Sequence, residues 1–360
     1  MAKNSKPTCL IGIHEKHRAK LTSFFGYTLP LWYTSIKEEH HAVRHNAGIF
    51  DISHMGLFQV SGEDALPFLE NVSCNKLTKV AKGYFVYTMI LNREGGIRDD
   101  IMIGPMGDDY LVIVNASNAA KIDAWFQENK PSSVHITSHN DTHGLMAIQG
   151  PKAAAILSQV LQKDLASMKP FRLKKLTYQD QSIWVARTGY TGEDGFEIMA
   201  PHALAPQIFT AITDLGTTPC GLGARDSLRI EAGLPLYGQE LSETLSPRVT
   251  RYASWVIKLD HSFIGKTAVE TDEDIMTTVG IQMEGKSIPR TGYPIVEGGH
   301  ITSGTLSPSL NTPIGMAIVP KTHATPGTTL HVTIRNTEEK ATVVALPFVQ
   351  RTPPEPITGK

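Results

Sequence analysis

Alternating hydrophobic and polar positions are the clearest pattern in this chain, and the pattern is strongest on either side of a Gly-Gly pair. Residues 86–115 read VYTMILNREGGIRDDIMIGPMGDDYLVIVN. Apolar side chains recur at alternate positions before and after Gly95-Gly96, which predicts strands joined by a turn. Asp99 and Asp100 begin the second run, and neighbours on a strand point to opposite faces. One carboxylate therefore turns inward and needs a partner, although alternation does not say which one.

A helical pattern precedes this stretch. Ser35 and Glu38 form an S-x-x-E capping box, and Gly48 stands where the helix is expected to end. His41 and His45 are spaced i, i+4 on this helix. The pair fits either a metal clamp or a solvated helix face, and no third ligand or HExxH pattern accompanies it. We therefore predict no metal site.

A Gly-rich acidic loop lies between two further predicted strands. Residues 182–200 read SIWVARTGYTGEDGFEIMA, with apolar runs at both ends of the loop. Glu197 alternates with Phe196 and Ile198, so its side chain points away from both. If those two residues are in the core, Glu197 faces solvent or a cleft.

The segment GLGARD, residues 221–226, superficially resembles a dinucleotide fingerprint. Asp226 stands where the third glycine belongs, and the preceding TTPC is not a strand, so we reject that reading. The pattern instead predicts a helix over 222–232 that is ended by Gly233. Arg225 lies near the start of this helix, where the dipole disfavours a cation. Either it is a plain surface residue, or a carboxylate or an anionic ligand lies close to it.

Two polar residues next to apolar runs are further candidates. His54 interrupts a predicted strand over 49–60, and it is either a base or a residue that only satisfies a local hydrogen bond. Asn115 follows a strand and stands in an N-cap position before the helix predicted from 116 onward. It is a simple cap or a ligand contact.

The character of the chain changes near residue 246. Short alternating runs punctuated by Gly and Pro predict an antiparallel β module of barrel or sandwich type. The final residues, RTPPEPITGK (351–360), are Pro-rich and are expected to be loose.

Composition narrows the class of protein. A chain of 360 residues predicts two or three domains, and 41% hydrophobic with 19% charged residues is typical of globular proteins. The net charge of −1 gives no attraction to nucleic acid or to a membrane. Three widely spaced cysteines argue against disulfides and structural zinc. We see no signal peptide or membrane-spanning run, which predicts a cytoplasmic location.

Several motifs, taken together and in order, resemble one family over nearly the whole chain. They are FDISHM (50–55), LNREGGIRDD (91–100), AIQGPKA (147–153), RTGYTGEDGFE (187–197), GLGARDSLRIEAG (221–233), LYGQEL (236–241) and ITSGTLSPSL (301–310). The chain resembles the glycine cleavage system T-protein, or aminomethyltransferase, family.

The resemblance implies an α+β fold in which three domains form a cloverleaf around a central folate channel. The first domain is expected to be discontinuous and to comprise residues 1–54 and 142–245. The second is expected over 55–141, with the GGIRDD turn, and the third over 246–360 as an antiparallel, barrel-like β domain.

The resemblance also implies an activity. A lipoylated H-protein of the glycine cleavage system delivers an aminomethyl group on its lipoyl arm, ammonia is released, and tetrahydrofolate becomes 5,10-methylenetetrahydrofolate. Two alternatives share the fold. One is a folate-dependent demethylase of a small methylated substrate, and the other is a folate-binding protein without transferase chemistry.

Site residues follow from the same motifs. Asp99 is expected to be the catalytic carboxylate near the folate nitrogens, while Asp100 is expected to point outward or to make a local hydrogen bond. The residues expected to bind folate are Asn115, Tyr190, Glu197 and Arg225.

Overall fold

The computed structural model describes residues 5–351, which contain nineteen strands and nine α-helices. The strands are β1 (Lys6–Pro7), β2 (Lys20–Phe24), β3 (Tyr27–Trp32), β4 (Gly48–Asp51), β5 (Gly56–Ser61), β6 (Val86–Leu91), β7 (Ile97–Met106), β8 (Asp109–Val114), β9 (His135–Ser138), β10 (His143–Gln149), β11 (Leu173–Tyr178), β12 (Gln181–Ala186), β13 (Gly195–Pro201), β14 (Thr218–Cys220), β15 (Met276–Met283), β16 (His300–Leu306), β17 (Pro313–Pro320), β18 (Thr329–Ile334) and β19 (Thr337–Val344). The α-helices are α1 (Ile11–Lys16), α2 (Ile36–His45), α3 (Ala65–Val72), α4 (Ala119–Asn129), α5 (Ala153–Leu161), α6 (Ala205–Asp214), α7 (Leu222–Glu231), α8 (Ala253–Val256) and α9 (Lys266–Thr271). Short 3₁₀ turns occupy Val80–Lys82, Ala116–Asn118, Pro247–Val249 and Lys321–His323.

A six-stranded sheet with the order β11-β12-β13-β10-β4-β14 draws its strands from two separate parts of the chain. Helices α5 and α6 pack on one face, and residues of α2 and α7 belong to the core of the other. The strand grouping agrees with the predicted discontinuous first domain, although the domain limits themselves stay a prediction. The sheet also corrects one expectation. The predicted single strand over 49–60 is two strands, of which β4 lies here and β5 lies in the next sheet.

The second sheet is antiparallel throughout and has the order β6-β7-β8-β5-β9. Its core is completed by α3 and α4. The turn predicted at Gly95-Gly96 joins β6 to β7 as expected. In the ladder Leu91 pairs with Ile97 whereas Ile90 pairs with Asp99, so Arg98 is an extra residue and forms a bulge. A bulge locally increases the twist and re-aims the side chains beside it.

The third sheet is antiparallel, with the order β16-β17-β15-β19-β18. We expected a barrel-like domain; the ladders of the described residues run from β16 to β18 without closing, and residues 292–296 make only isolated backbone bonds to these two edge strands, so no closed barrel forms. The Pro- and Gly-containing segment over 284–299 runs beside β18 and bonds to it only locally, as in the single bridge between Ile295 and Val332. Proline and glycine weaken a strand, which explains why this segment does not close the sheet.

Residues 246–275, which the sequence assigned to the third domain, contain no strand of the third sheet. Val256, Phe263 and Val269 instead share a buried core with residues of β6 and β7. The third sheet begins at Met276. The loose tail predicted over 351–360 lies, from residue 352 onward, outside the described residues.

The capping box of α2 is confirmed, because Ser35 Oγ accepts a hydrogen bond from the N–H of Glu38 at 3.2 Å. Gly48 does not end this helix, since it is already the first residue of β4. The rings of His41 and His45 stack at 5.6 Å, and no metal-binding group of three His, Cys, Asp or Glu residues occurs between residues 5 and 351. Within the same range no helix is long and apolar enough to cross a membrane.

Glu231, at the end of α7, joins the first and third sheets. The carboxylate is fully buried and accepts hydrogen bonds from Arg44 at 2.9 Å, from His40 at 3.0 Å and from Ser307 at 2.5 Å. Ser309 adds bonds from both its N–H and its hydroxyl. These partners lower the pKa of Glu231 to about 2, against the opposing effect of burial. The helix is thereby fixed to α2 and to the loop that follows β16.

Candidate active site

A cavity of about 800 Å³ lies where the three large sheets meet. Its wall is formed by residues 22–25 at the end of β2, by the central part of β7, by the Gly-rich loop, by one side of α7 and by β16. Each of the three parts of the chain therefore contributes to one chamber, whose volume is typical of small-molecule sites.

Asp100, and not Asp99, faces this cavity. Its Oδ2 accepts a hydrogen bond from the Tyr87 hydroxyl at 3.0 Å, and its Oδ1 accepts one from Asn115 Nδ2 at 2.7 Å. Asp100 does make the local hydrogen bonds that were one expectation for it, but its side chain borders the cavity and does not point outward, while Asp99, the expected catalytic carboxylate, does not line the cavity. Alternation on β7 separates the two side chains, and sequence alone could not fix which face of the strand covers the chamber.

Asp99 lies on the buried face of β7 and has no exposed surface. Its carboxylate accepts hydrogen bonds from the Asn115 N–H at 3.0 Å, from Asn115 Nδ2 at 2.8 Å and from Asn118 Nδ2 at 2.6 Å. A buried carboxylate does find partners, as physical reasoning requires, but they are amides of the protein itself.

Asn115 touches both aspartates, and its side chain lines the cavity. Of the two alternatives for Asn115, a simple cap of α4 is wrong: Asn115 stands at the N-cap position of the 3₁₀ turn Ala116–Asn118, which separates it from α4, and its side chain makes no capping hydrogen bond. The amide is instead used to hold the two carboxylates in place.

The aspartate pair has no cationic partner among these contacts. Burial raises the pKa of Asp99, and the negative charge of Asp100 adds to that rise. Burial likewise raises the pKa of Asp100, although the hydrogen bonds from Tyr87 and Asn115 oppose the effect. Carboxyl groups with raised pKa values in a cleft are typical of proton-transfer sites.

Three more predicted residues lie together on the cavity wall. The Arg225 guanidinium lies 4.8 Å from the centre of the Tyr190 ring, and the charge of Glu197 acts on it electrostatically. The Thr188 hydroxyl donates to Glu197 Oε2 at 2.5 Å. The Tyr190 hydroxyl donates to the carbonyl oxygen of Pro235. All four predicted binding residues thus line the cavity, and Arg225 is not a plain surface residue.

The Gly-rich loop is held by an ion-pair cluster at its centre. Asp194 accepts from Arg187 Nε at 3.0 Å and from Arg187 Nη2 at 2.6 Å. Arg351, near the end of the described chain, adds a contact to the same carboxylate at 2.8 Å. The loop that carries Glu197 is therefore tied to the strand before it and to the segment after the third sheet.

Several buried polar atoms of the cavity wall have no hydrogen-bond partner within the described residues: Arg225 Nη1, His54 Nδ1 and Gln239 Oε1. Burial, assisted by the positive charge of Arg225, lowers the pKa of His54 to about 4, so the ring is neutral at neutral pH. Buried polar groups are normally paired, and unpaired ones around one chamber indicate a polar ligand.

Sequence reasoning missed an aromatic group beside Asp100. The rings of Tyr87 and Trp255 stack with centres 5.7 Å apart, and Phe171 meets Trp255 edge-on at 5.8 Å. It also missed Arg229, which binds Glu240 at 3.0 Å and Ser303 at 2.8 Å and so ties α7 to β16. The i, i+4 spacing of Arg225 and Arg229 was the available signal for the latter. No local pattern marks the aromatic group.

Comparisons with known proteins bear on this arrangement. The family model described as GCVT N-terminal domain matches residues 10–261, and the glycine cleavage T-protein C-terminal barrel domain matches residues 277–350. The chain belongs to the glycine cleavage T-protein family. Curated relatives named aminomethyltransferase include that of Bacillus pumilus, 41% identical, and that of Bacillus subtilis, 38% identical, each covering 96% of this chain and 99% of the relative.

A solved structure of the same family is similar to this chain in sequence and in fold. The crystal structure of glycine cleavage system aminomethyltransferase T from Bartonella henselae is 31% identical, covers 96% of this chain and 99% of that one, and superposes with a TM-score of 0.89. The α+β fold expected from the family is confirmed over nearly the whole length.

Proposed function

We propose that this protein is an aminomethyltransferase of the glycine cleavage system that transfers a one-carbon unit from the lipoyl arm of an H-protein to tetrahydrofolate and releases ammonia. The enzyme class is that of its family. Among the features of the site, one observation supports the chemistry most strongly: Asp100 is held in the cavity by Tyr87 and Asn115, and neither partner is a cation.

Glu197, Arg225 and Gln239 of the cavity wall fit a folate. A pterin presents an N–H and an amino group side by side, and the Glu197 carboxylate can accept both. The unpaired Arg225 Nη1 is a donor for a folate oxygen, and the unpaired Gln239 Oε1 is an acceptor. The cavity of about 800 Å³ has room for a ligand of that size together with an arm.

Tetrahydrofolate, when bound, supplies two N–H nitrogens that take over the aminomethyl carbon; their two protons leave with ammonia and with the freed lipoyl sulfur. Asp100 is suited to accept such a proton and to return it, because burial raises its pKa above the ordinary aspartate range. Its charge also stabilises positive charge that develops on the folate as the amine leaves. The catalytic role first assigned to Asp99 is therefore reassigned, as a proposal, to Asp100.

The partner and the location are parts of the same proposal. The name of the family points to an H-protein that carries the lipoyl arm. The cytoplasmic location expected from the sequence stays a prediction.

A coupled assay tests this function. The protein is mixed with aminomethylated H-protein and tetrahydrofolate, and ammonia and 5,10-methylenetetrahydrofolate are measured together. We expect equal amounts of both products and no product when either substrate is left out. Formation of 5-methyltetrahydrofolate from a small methylated substrate, with no ammonia from aminomethylated H-protein, would instead favour a demethylase.

A further inference from the structure

Positive charge is concentrated on three segments that each contribute residues to the cavity wall. The segments 76–87, 168–178 and 250–259 contain no Asp or Glu, although the whole chain has 35 acidic against 34 basic residues. They carry nine cations: Lys76, Lys79, Lys82, Lys169, Arg172, Lys174, Lys175, Arg251 and Lys258. We call these three segments the basic rim.

The fold brings the basic rim together. The Phe85 N–H donates to the Phe171 carbonyl at 2.7 Å, and the Leu173 N–H donates to the Gly83 carbonyl at 3.0 Å, which joins the first two segments. The third segment reaches the second through the contact between Phe171 and Trp255. Residues far apart in sequence therefore form one continuous surface.

Few of these cations are neutralised. Lys76 binds Asp260 at 2.6 Å, and Lys174 acts on Asp164 from a distance. The ion pairs found between residues 5 and 351 include none for Lys79, Lys82 or Lys169. The protein as a whole is nearly neutral, so this local excess of charge sets the rim apart from the rest of the surface.

Two exposed aromatic residues lie at the centre of the basic rim. Phe171 is 36% exposed and Trp255 is 41% exposed, and both also line the cavity. Large aromatic side chains surrounded by charged ones are typical of the core of a protein–protein interface. Because the same two residues border the chamber that contains Asp100, anything bound on the rim has direct access to the site.

We propose that the basic rim is the docking surface for an acidic carrier protein, whose flexible arm enters the cavity beside Phe171 and Trp255. This inference rests on the proposed function, because it assumes that the one-carbon unit arrives on a protein-bound arm. Charge complementarity of this kind accelerates association and weakens with salt. The partner is therefore expected to carry net negative charge on its surface around the base of the arm.

Charge reversal away from the cavity tests the proposal. The double variant Lys79→Glu/Lys82→Glu changes two exposed cations that do not line the chamber, and Lys163→Glu/Lys340→Glu is the control with the same change in net charge. Each is assayed with aminomethylated H-protein and, separately, with free aminomethyl-dihydrolipoamide as the detached arm. Tetrahydrofolate is supplied as the monoglutamate and as the pentaglutamate.

We expect the rim variant to raise the KM for H-protein about tenfold at low salt, with kcat unchanged and with the difference lost at high salt. Its turnover of the free arm and the behaviour of the control pair should equal those of the unmodified protein. An unchanged KM for H-protein, an equal rise in the control pair, or a loss confined to the pentaglutamate would overturn the proposal. If the proposed function itself fails, the unmodified protein releases no ammonia with either donor, which is a different result.

Discussion

Glu231 is a fully buried carboxylate and Asp100 a half-buried one, and their surroundings are of opposite kinds. Glu231 accepts from an arginine, a histidine and two serines, and these partners lower its pKa to about 2. Asp100 accepts from a phenol and an amide, and burial raises its pKa. The first group is neutralised and fully bonded, whereas the second keeps its charge uncompensated beside an 800 Å³ cavity.

This difference separates a structural charge from a functional one. A carboxylate with cationic partners can fix a helix, but it is a poor proton acceptor because its basicity is low. A carboxylate that is held by neutral donors keeps its basicity and can exchange a proton with a ligand. The two arginines differ in the same way, since Arg44 is bonded to Glu193 and Glu231, while Arg225, which lines the cavity, has an Nη1 without a partner within the described residues.

Glu231→Gln should have the largest effect on stability. We expect a loss of about 3 kcal/mol in the free energy of unfolding at neutral pH, because buried Arg44 loses one of its two counter-charges. The folded-state pKa of Glu231 is lowered, so its contribution is present above the unfolded-state value of about 4.3 and is lost as pH falls toward 2. Urea titrations at several pH values measure this.

The control for that prediction is Glu284→Gln, which changes an exposed carboxylate of the third sheet region. If both variants lose the same small amount of stability, or if the Glu231→Gln deficit persists unchanged at low pH, the structural role of Glu231 is refuted.

Arg225→Met should affect binding more than folding. We expect the KM for tetrahydrofolate to rise about 10- to 100-fold, since a bond from a charged donor contributes roughly 1.5–3 kcal/mol. The unfolding free energy should change little, because Nη1 has no partner within the described protein to lose. Steady-state kinetics with Arg93→Met as an exposed control measure both; a normal KM for the Arg225 variant would contradict the assignment.

The pH dependence of kcat is expected to change less than the stability and the KM in the two preceding predictions. Asp100 must be ionised to accept a proton, and its pKa is raised, so activity should decline on the acid side at a higher pH than an ordinary aspartate near 3.9 would give. The slope should approach tenfold per pH unit. A profile of kcat between pH 4 and 8, with stability checked at each point, tests this; constant activity down to the ordinary aspartate range would count against it.

Several elements of the fold could be predicted from local sequence patterns. The Gly95-Gly96 turn, the capped start of α2 and the end of α7 before Gly233 each follow from a few neighbouring residues, and each is confirmed. The open third sheet was not readable, because closure depends on how a Pro- and Gly-containing segment pairs with a distant strand.

The site could be predicted only in part from the sequence, because it too depends on contacts between distant parts of the chain. Motifs placed Glu197, Tyr190 and Arg225 in one chamber, and the structure brings them together. The choice between Asp99 and Asp100 failed because both faces of β7 are covered, one by its own core and one by the cavity. Alternation along a strand places neighbouring side chains on opposite faces of the sheet. Only tertiary packing decides which of these two faces borders the ligand cavity.

The most direct test of this account compares two neighbouring substitutions, Asp100→Asn and Asp99→Asn, in the coupled assay with aminomethylated H-protein and tetrahydrofolate. Both keep the size of the side chain and the fold should survive in both, as thermal unfolding will show. We expect Asp100→Asn to lose about 10²–10³ in kcat, because it removes the charge in the cavity. We expect Asp99→Asn to keep most of the rate. A well-folded Asp100→Asn protein with near-normal kcat, or a larger loss in Asp99→Asn, would contradict the account.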